Sequence, residues 1–119
     1  METLCRSCAR PIERTGEGRV YCSRRCSSRR ITPQDRRLEA ALVELLGARD
    51  PGASICPSEV ARAEAASWRP LLEHARRAGR RLASTGIVQF TQGGRVVDPG
   101  RARGPVRIRR GPAWGRAGR

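Results

Sequence analysis

Four of the five cysteines lie in the first 26 residues, where they form two close pairs. Two residues separate Cys5 from Cys8, three separate Cys22 from Cys26, and thirteen lie between the pairs. A tetrahedral zinc site needs such pairs, because each supplies two thiolates from adjacent backbone and the loop brings them together. Four cysteine ligands leave no open coordination position, so the spacing predicts one structural Zn²⁺ and not a catalytic one.

The residues around the cysteines predict a small finger. A β-branched and an aromatic residue before Cys22 favour a short strand, and Ser23 is suited to cap a helix that begins there. We therefore expect a treble-clef-like finger over residues 1–30. A segment this short has almost no hydrophobic core, so bound metal would hold its fold. Chance spacing or disulfides are the alternative interpretations, and a reducing compartment disfavours disulfides.

The motif CRSCARP...VYCSRRC resembles a family of small bacterial zinc fingers of unknown function with a CPxCxRP...YCSxRC pattern. It is also similar to the zinc-finger family of DNA gyrase inhibitors, which shares the CxxC...CSxxC spacing. Both resemblances cover about 25 residues and rest mostly on the cysteines. They imply a zinc-binding finger at this end of the chain.

A second distinctive stretch is SWRPLLEHARRAGRRLASTG, residues 67–86, which predicts a helix with Ser67 as its N-cap and Gly86 as its stop. At about 100° per residue its apolar side chains gather on one helical face, and four arginines gather on the opposite face with Glu73 as the one acid. An ordinary exposed helix mixes both signs to form i,i+4 pairs, so this face suits an anionic partner better than water alone. A plain solvated face is the alternative. The four arginines are Arg69, Arg76, Arg77 and Arg80.

The overall charge agrees with an anionic partner. The 119 residues include 25 arginines, no lysine and 11 acidic residues, for a net charge of +14. Such an excess points to nucleic acid, an anionic membrane surface or an acidic protein. Arginine is also the better residue for bidentate contacts to phosphate and guanine.

The expected location is the cytoplasm, or the nucleoid if the protein binds DNA. The sequence contains no apolar run long enough to cross a membrane, and METLCRSC is not a signal peptide. Cysteines stay reduced in that compartment, which favours metal binding. We expect no membrane partner.

Two further helices precede the arginine-rich one. Thr32 and Pro33 open the first, because threonine is a good N-cap and proline fits the first helical position. Its leucines recur at intervals of three and four residues from Leu38 to Leu46, so one face is buried. Pro57 begins a shorter helix in the same way.

After Gly86 the hydrophobic period changes from that of a helix to that of a strand. The dipeptide Gly93-Gly94 lies between two alternating stretches and predicts a β-hairpin. In the register of a two-residue turn, Phe90 lies opposite Val97 on one face of the hairpin.

The order helix, short helix, longer helix and hairpin is that of a winged helix-turn-helix domain. We therefore predict an α+β fold in which a winged-helix domain over residues 31–110 follows the separately built finger. Arg95 would lie at the tip of the wing. Alternation over residues 106–109 predicts a short edge strand, and residues 111–119 are expected to form a basic disordered tail.

The motifs ICPSEVAR, SWRPLLEHARRAGRRLA and GRVVDP...ARGPVRIR resemble a bacterial domain family of unknown function that is described as winged-helix-like. The resemblance spans residues 36–110, about two-thirds of the chain. It implies the winged-helix fold and carries no activity that could be transferred to these residues.

The sequence predicts no enzyme and no small-molecule substrate. Cys56 is a fifth cysteine and His74 is the single histidine, but a nucleophilic dyad also needs an orienting group and an oxyanion site, and neither is recognisable. Phosphate-binding loops, nucleotide fingerprints and paired carboxylates do not occur.

The favoured function is nucleic-acid binding, and duplex DNA is the preferred partner, as in a transcriptional regulator. The long helix and the wing would face the duplex, with charge supplying most of the affinity. A zinc-dependent adaptor that binds an acidic protein through the finger, with the winged helix as scaffold, is the alternative, and RNA is a third possible partner. The residues predicted to contact nucleic acid are Arg69, Arg76, Arg77, Arg80, Arg95, Arg107 and Arg109.

Overall fold

The computed structural model describes residues 3–12 and 20–116, which form a cysteine-containing segment and a larger mixed α/β domain. The segment holds two short strands, β1 (Thr3–Leu4) and β2 (Pro11–Ile12), and a short helix, α1 (Arg24–Ser28). The domain combines helices with a four-stranded antiparallel sheet. Its elements are α2 (Pro33–Gly47), β3 (Ser54–Ile55), α3 (Pro57–Glu64), α4 (Leu72–Ser84), β4 (Val88–Gln92), β5 (Arg95–Val97) and β6 (Arg107–Arg110).

Capping carboxylates define the starts of α2 and α3. As the sequence predicted, Thr32 caps α2, and its backbone N–H donates to Asp35 Oδ2 at 2.9 Å. The Cys56 N–H donates in the same way to Glu59 at 2.8 Å, and Arg49 lies 2.6 Å from that carboxylate. Burial acts to raise the pKa of both carboxyl groups. The capping hydrogen bonds and nearby cations outweigh burial and hold each pKa below its ordinary value.

Helix α4 begins later than its sequence suggested. Ser67 was the expected N-cap, but a 3-10 turn over Arg69–Leu71 precedes the α-helix. Pro70 has no N–H to donate. The Leu71 N–H donates to the Trp68 carbonyl at 2.9 Å and closes this turn. The predicted stop at Gly86 is present, with a φ of +81°. No helix within the described ranges is both long enough and apolar enough to cross a membrane.

The sheet has the order β3-β6-β4-β5, and every pair of neighbours is antiparallel. The predicted hairpin register is confirmed, because Phe90 pairs with Val97. The short strand expected over residues 106–109 is present as β6, but its expected position at the edge of the sheet is wrong. Strand β6 lies inside the sheet, because Ile55 of the two-residue strand β3 pairs with Ile108 on its outer side.

The core lies between the helices and one face of the sheet. Helix α4 approaches the sheet closely at Gly79, where a Cβ would stand 2.8 Å from Phe90 Cζ and 3.1 Å from Ile108 Cδ1. A larger residue would therefore hold the helix away from these two side chains. The largest fully buried apolar side chains of the domain are Phe90, Leu38, Leu42, Leu46, Ile55, Ile108, Val60 and Val88.

The chain after β6 is packed as far as Trp114, although residues 111–119 were expected to form a disordered tail. The Gly111 N–H donates to the Ile87 carbonyl at 2.8 Å. Arg110 places its guanidinium 4.8 Å from the Trp114 ring centroid and also donates to the Leu46 carbonyl at the end of α2. This arginine joins the last strand to a helix C-terminus, where a cation is favourable. The last three residues of the predicted tail lie outside the described part.

Candidate metal centre and basic surface

The four N-terminal cysteines converge, and their Sγ atoms all lie within 4.8 Å of one another. Cys22 Sγ stands 3.6 Å from both Cys8 Sγ and Cys26 Sγ. A tetrahedral ion with metal–sulfur bonds of about 2.3 Å separates its sulfur ligands by roughly 3.8 Å. The spacing therefore fits a single metal ion. None of the five cysteines, all of which are described, forms a disulfide.

Local backbone structure brings the two cysteine pairs together. The first pair follows β1, where the Cys5 N–H donates to the Arg10 carbonyl at 2.8 Å and closes a tight turn. The second pair begins α1, as predicted, and the Ser23 hydroxyl accepts from the Cys26 N–H at 3.3 Å. The strand expected before Cys22 is replaced by irregular backbone, and the Arg6 N–H donates to the Val20 carbonyl at 2.8 Å between the two pairs.

The thiols differ in acidity although they lie side by side. Burial acts to raise the pKa of Cys5, but backbone N–H groups stabilise its thiolate and bring the pKa down to about 7. Burial, reinforced by the neighbouring thiols, raises the pKa of Cys8 to about 12. Burial also raises the pKa of Cys22. Several anions this close repel one another, and a divalent cation removes that repulsion, so this donor set suits a thiolate-binding metal.

The cysteine segment is packed directly on the α/β domain. Ala9 is fully buried in the same hydrophobic cluster as the domain core. Arg10 Nε donates to the Gly100 carbonyl at 3.2 Å. A Cβ at Gly100 would lie 2.8 Å from the Cys8 carbonyl oxygen and 2.8 Å from the Arg10 nitrogen, so a side chain does not fit there. The two parts, which the sequence suggested were separately built, share an interface.

A cleft of about 560 Å³ lies between the sulfur cluster and α4. Three of the cysteines line it together with Arg10, Arg25 and Arg80. Arg80 reaches the cleft from α4, and only 16% of its side chain is exposed. A residue predicted on the outer face of α4 therefore lies beside the candidate metal centre.

The arginines predicted to form an outward row on α4 differ in their surroundings. Arg69 is exposed and lies 5.0 Å from the Trp68 ring centroid. Arg76 donates to a backbone carbonyl at 3.4 Å. Glu73 contacts the other two, Arg77 at 3.6 Å and Arg80 at 2.7 Å. One carboxylate thus partly neutralises two of the four cations.

The three predicted contact residues on the sheet also differ. Arg95 is exposed beside the hairpin turn. Arg107 donates to the backbone carbonyl of Ser54 at 2.8 Å, and Arg109 donates to a glutamine side chain at 3.3 Å. Arg95 is therefore the most available of the three to an external partner.

Sequence reasoning singled out Arg95 but missed the other members of a basic surface outside α4. Exposed arginines without a carboxylate partner among the described residues lie on α1, on the linker after it, at the hairpin and before β6. The dense SRRCSSRR run was the available signal, because it contains no acid. These arginines include Arg25, Arg29, Arg30, Arg95 and Arg103.

Arg81 is another residue that the sequence did not single out. Only 9% of its side chain is exposed, and its Nε lies 2.5 Å from Glu39 on α2. It also donates to the Asp35 backbone carbonyl at 3.3 Å. This buried pair joins α4 to α2, so Arg81 is a structural residue.

Cys56 and His74 have different partners. The Ser58 hydroxyl donates to Cys56 Sγ at 3.2 Å, at the start of α3. His74 Nδ1 lies 4.0 Å from Asp35 Oδ1, at the start of α2. Each residue is placed at a helix terminus that the capping carboxylates already define.

Comparison with known families identifies the family of the α/β domain. A family described as a protein of unknown function (DUF3253) matches residues 35–111, the stretch that runs from the first turn of α2 to just beyond β6. The chain therefore belongs to this family. No curated protein matches the sequence. The cysteine segment precedes the matched range, so the candidate metal centre lies outside the stretch that defines the family.

Proposed function

We propose that this protein binds nucleic acid, with duplex DNA as the preferred partner, and that one structural Zn²⁺ holds its N-terminal segment. The observation that carries the proposal is the excess of exposed arginine. The chain has a net charge of +14, and the described acids are mostly paired with particular arginines. The surplus cations remain on the surface, where phosphate is the abundant complementary group.

The donor chemistry supports zinc. Four thiolates at tetrahedral spacing suit Zn²⁺ better than magnesium or calcium, which prefer oxygen. A set of four cysteines also excludes a water ligand, so the ion would act structurally. These residues would hold the metal, and the metal would keep α1 beside the domain.

The order of elements supports a winged-helix interpretation of the domain. Helices α3 and α4 follow one another through a short turn, and the β4–β5 hairpin comes directly after them. In this interpretation α4 is the recognition helix and the hairpin is the wing. Arg69 in the 3-10 turn before α4 and Arg95 at the hairpin would then face the duplex.

The test is a salt titration of binding to a labelled random-sequence duplex. Each phosphate contact contributes about 0.9 to the slope of log affinity against log salt. Replacing Arg69 and Arg95 together with alanine should flatten that slope by roughly one to two units. A control replaces Arg36 and Arg37, which are exposed but paired with Glu39 and Glu64.

The control removes the same charge from a different place, so it should change the slope by less than about half a unit. Equal effects of the two double variants would refute the assigned surface. Unchanged affinity and slope for both would likewise refute the assigned surface, whereas no measurable binding of the duplex by the wild type would refute DNA binding and leave the zinc-dependent adaptor. Structured RNA and single-stranded DNA are titrated in parallel, and tighter binding to either would replace duplex DNA as the partner.

A further inference from the structure

The position of Arg80 differs from that expected of a residue that contacts an external partner. Its helix would allow it to extend into solvent, but its side chain is only 16% exposed and lies in the cleft beside Cys8, Cys22 and Cys26. Arg10 and Arg25 enter the same cleft from the cysteine segment. Three arginines from three parts of the chain thus line the cleft beside the candidate metal centre.

The charges in this cleft explain the arrangement. A divalent ion bound by four thiolates carries a net charge of −2. A buried charge is costly unless an opposite charge lies nearby, and Cys5 in this cluster is fully buried. Three guanidinium groups lie on the cleft, and the carboxylate of Glu73, which contacts both Arg80 at 2.7 Å and Arg77 at 3.6 Å, offsets part of their charge. The cleft therefore keeps the positive charge that such a centre needs.

We propose that Arg80, with Arg10 and Arg25, is the counter-charge of the metal–thiolate centre, so that metal binding by the finger depends on a residue of α4. This inference rests on the zinc half of the proposed function and is independent of DNA binding. Arg80 acts as a positioning residue through the thiolates and is not a metal ligand. It would therefore not be one of the nucleic-acid contacts.

The same cleft could be considered as a phosphate site, but its charges disfavour this. Once metal is bound, the three cations face a dianionic centre and the carboxylate of Glu73, so little positive charge is left for a second anion. The counter-charge explanation also accounts for the low exposure of Arg80. Phosphate binding is retained as an outcome of the test.

The test compares metal affinity in full-length variants by competition with a chromophoric chelator. Loss of a group that supports metal ligands typically weakens affinity 10- to 100-fold. Arg80→Ala should therefore weaken Zn²⁺ binding at least tenfold, and Arg80→Lys should restore most of the loss because it keeps the charge. Arg76→Ala is the matched control, since Arg76 lies on the same helix and bonds only to a backbone carbonyl in the described part. It should leave metal affinity unchanged.

Cobalt spectra separate a charge effect from a loss of structure. Co²⁺ can replace Zn²⁺ at tetrahedral thiolate sites. The absorption band for charge transfer from sulfur to metal can then be measured. Removing a positive charge near the sulfurs raises the energy of their electrons, so Arg80→Ala should shift this band to lower energy while the tetrahedral pattern persists. Arg80→Lys should retain the wild-type position of the band.

Three results would overturn the inference. Equal Zn²⁺ affinity in wild type and Arg80→Ala is the first, and equal losses in Arg80→Ala and the Arg76 control are the second. The third is an effect of inorganic phosphate: if phosphate weakens Zn²⁺ binding by the wild type but not by Arg80→Ala, the cleft is an anion site. If Arg80→Ala fails to fold by circular dichroism, Arg80→Gln against Arg80→Lys decides, because the two differ in charge.

A wild-type chain that binds no Zn²⁺ at all would refute the metal half of the proposed function together with the inference. Stoichiometric Zn²⁺ with no effect at position 80 would refute the inference alone. A wild type that binds Zn²⁺ but no DNA would refute DNA binding and leave the inference about Arg80 intact. Failure of the inference and failure of the proposed function can therefore be told apart.

Discussion

Replacing Gly100 with alanine tests whether the cysteine segment and the α/β domain form one structural unit. The added Cβ would stand 2.5 Å from Arg10 Cγ, 2.8 Å from the Arg10 nitrogen and 2.8 Å from the Cys8 carbonyl oxygen. Non-bonded heavy atoms prefer about 3.5–4.0 Å, so the chain must shift. Two of the three atoms belong to the backbone of the cysteine turn, so a side-chain rotation cannot relieve the overlap.

The expected cost follows from these contacts. Overpacking costs about 1–3 kcal/mol, and separating the segments also weakens the exposed hydrogen bond from Arg10 to the Gly100 carbonyl. We expect Gly100→Ala to lower the free energy of unfolding by about 2 kcal/mol, which lowers Tm by on the order of 10 °C in a domain of this size. Gly52→Ala is the control, because nothing lies within 4 Å of its Cβ position.

The measurement is thermal unfolding of both variants with and without a chelator. If metal holds the cysteine segment in place, as proposed, the cost of Gly100→Ala should disappear when metal is removed. Chelation should also lower the Tm of the wild type, since Ala9 is part of the domain core. A change below about 0.5 kcal/mol in the metal-loaded protein would show that the segments do not depend on each other, and an equal cost after chelation would show that the segment stays packed without metal.

Two further predictions concern the domain itself. Gly79→Ala should destabilise the protein by about 1–2 kcal/mol despite the better helix propensity of alanine, because the Cβ would press on Phe90 in the core, and denaturant unfolding against Gly52→Ala measures this. Stability should fall in acid: the pKa values of Asp35 and Glu59 are lowered in the folded state, so their contribution is complete above the ordinary carboxyl range and is lost as pH falls through the folded pKa values. Asp35→Asn should flatten that acid limb in urea titrations at pH values from about 2 to 6, and an unchanged limb would contradict the assignment.

Short-range patterns were enough to predict several local features. The cysteine spacing predicted the cluster, because ligands a few residues apart need only a turn to meet. Thr32 with Pro33 predicted the start of α2, and the Gly93-Gly94 turn predicted the hairpin register. In each case the structure depends on residues that are close along the chain.

The misplaced elements depend on distant residues. Strand β3 has two residues, too few to show a period, and it exists because β6 pairs with it from more than fifty positions away. Because β3 was not predicted, the strand before Arg110 had no expected neighbour on its outer side and was assigned to the edge of the sheet. The contact of Gly100 with the cysteine turn is also long-range, and a lone glycine after a strand indicates only a turn.

The helical wheel of α4 failed for a related reason: it gives the direction of a side chain but not its partners. Glu73 lies one turn before Arg77 and two turns before Arg80, and it contacts both. The row of four arginines therefore presents less free charge than its sequence suggests. Exposed cations without a carboxylate partner in the described part are concentrated instead on the linker after α1, at Arg29 and Arg30, with Arg95 at the hairpin. If binding is driven by charge, its centre should lie toward the cysteine segment, so removing Arg29 and Arg30 together should flatten the salt slope at least as much as removing Arg69 and Arg95.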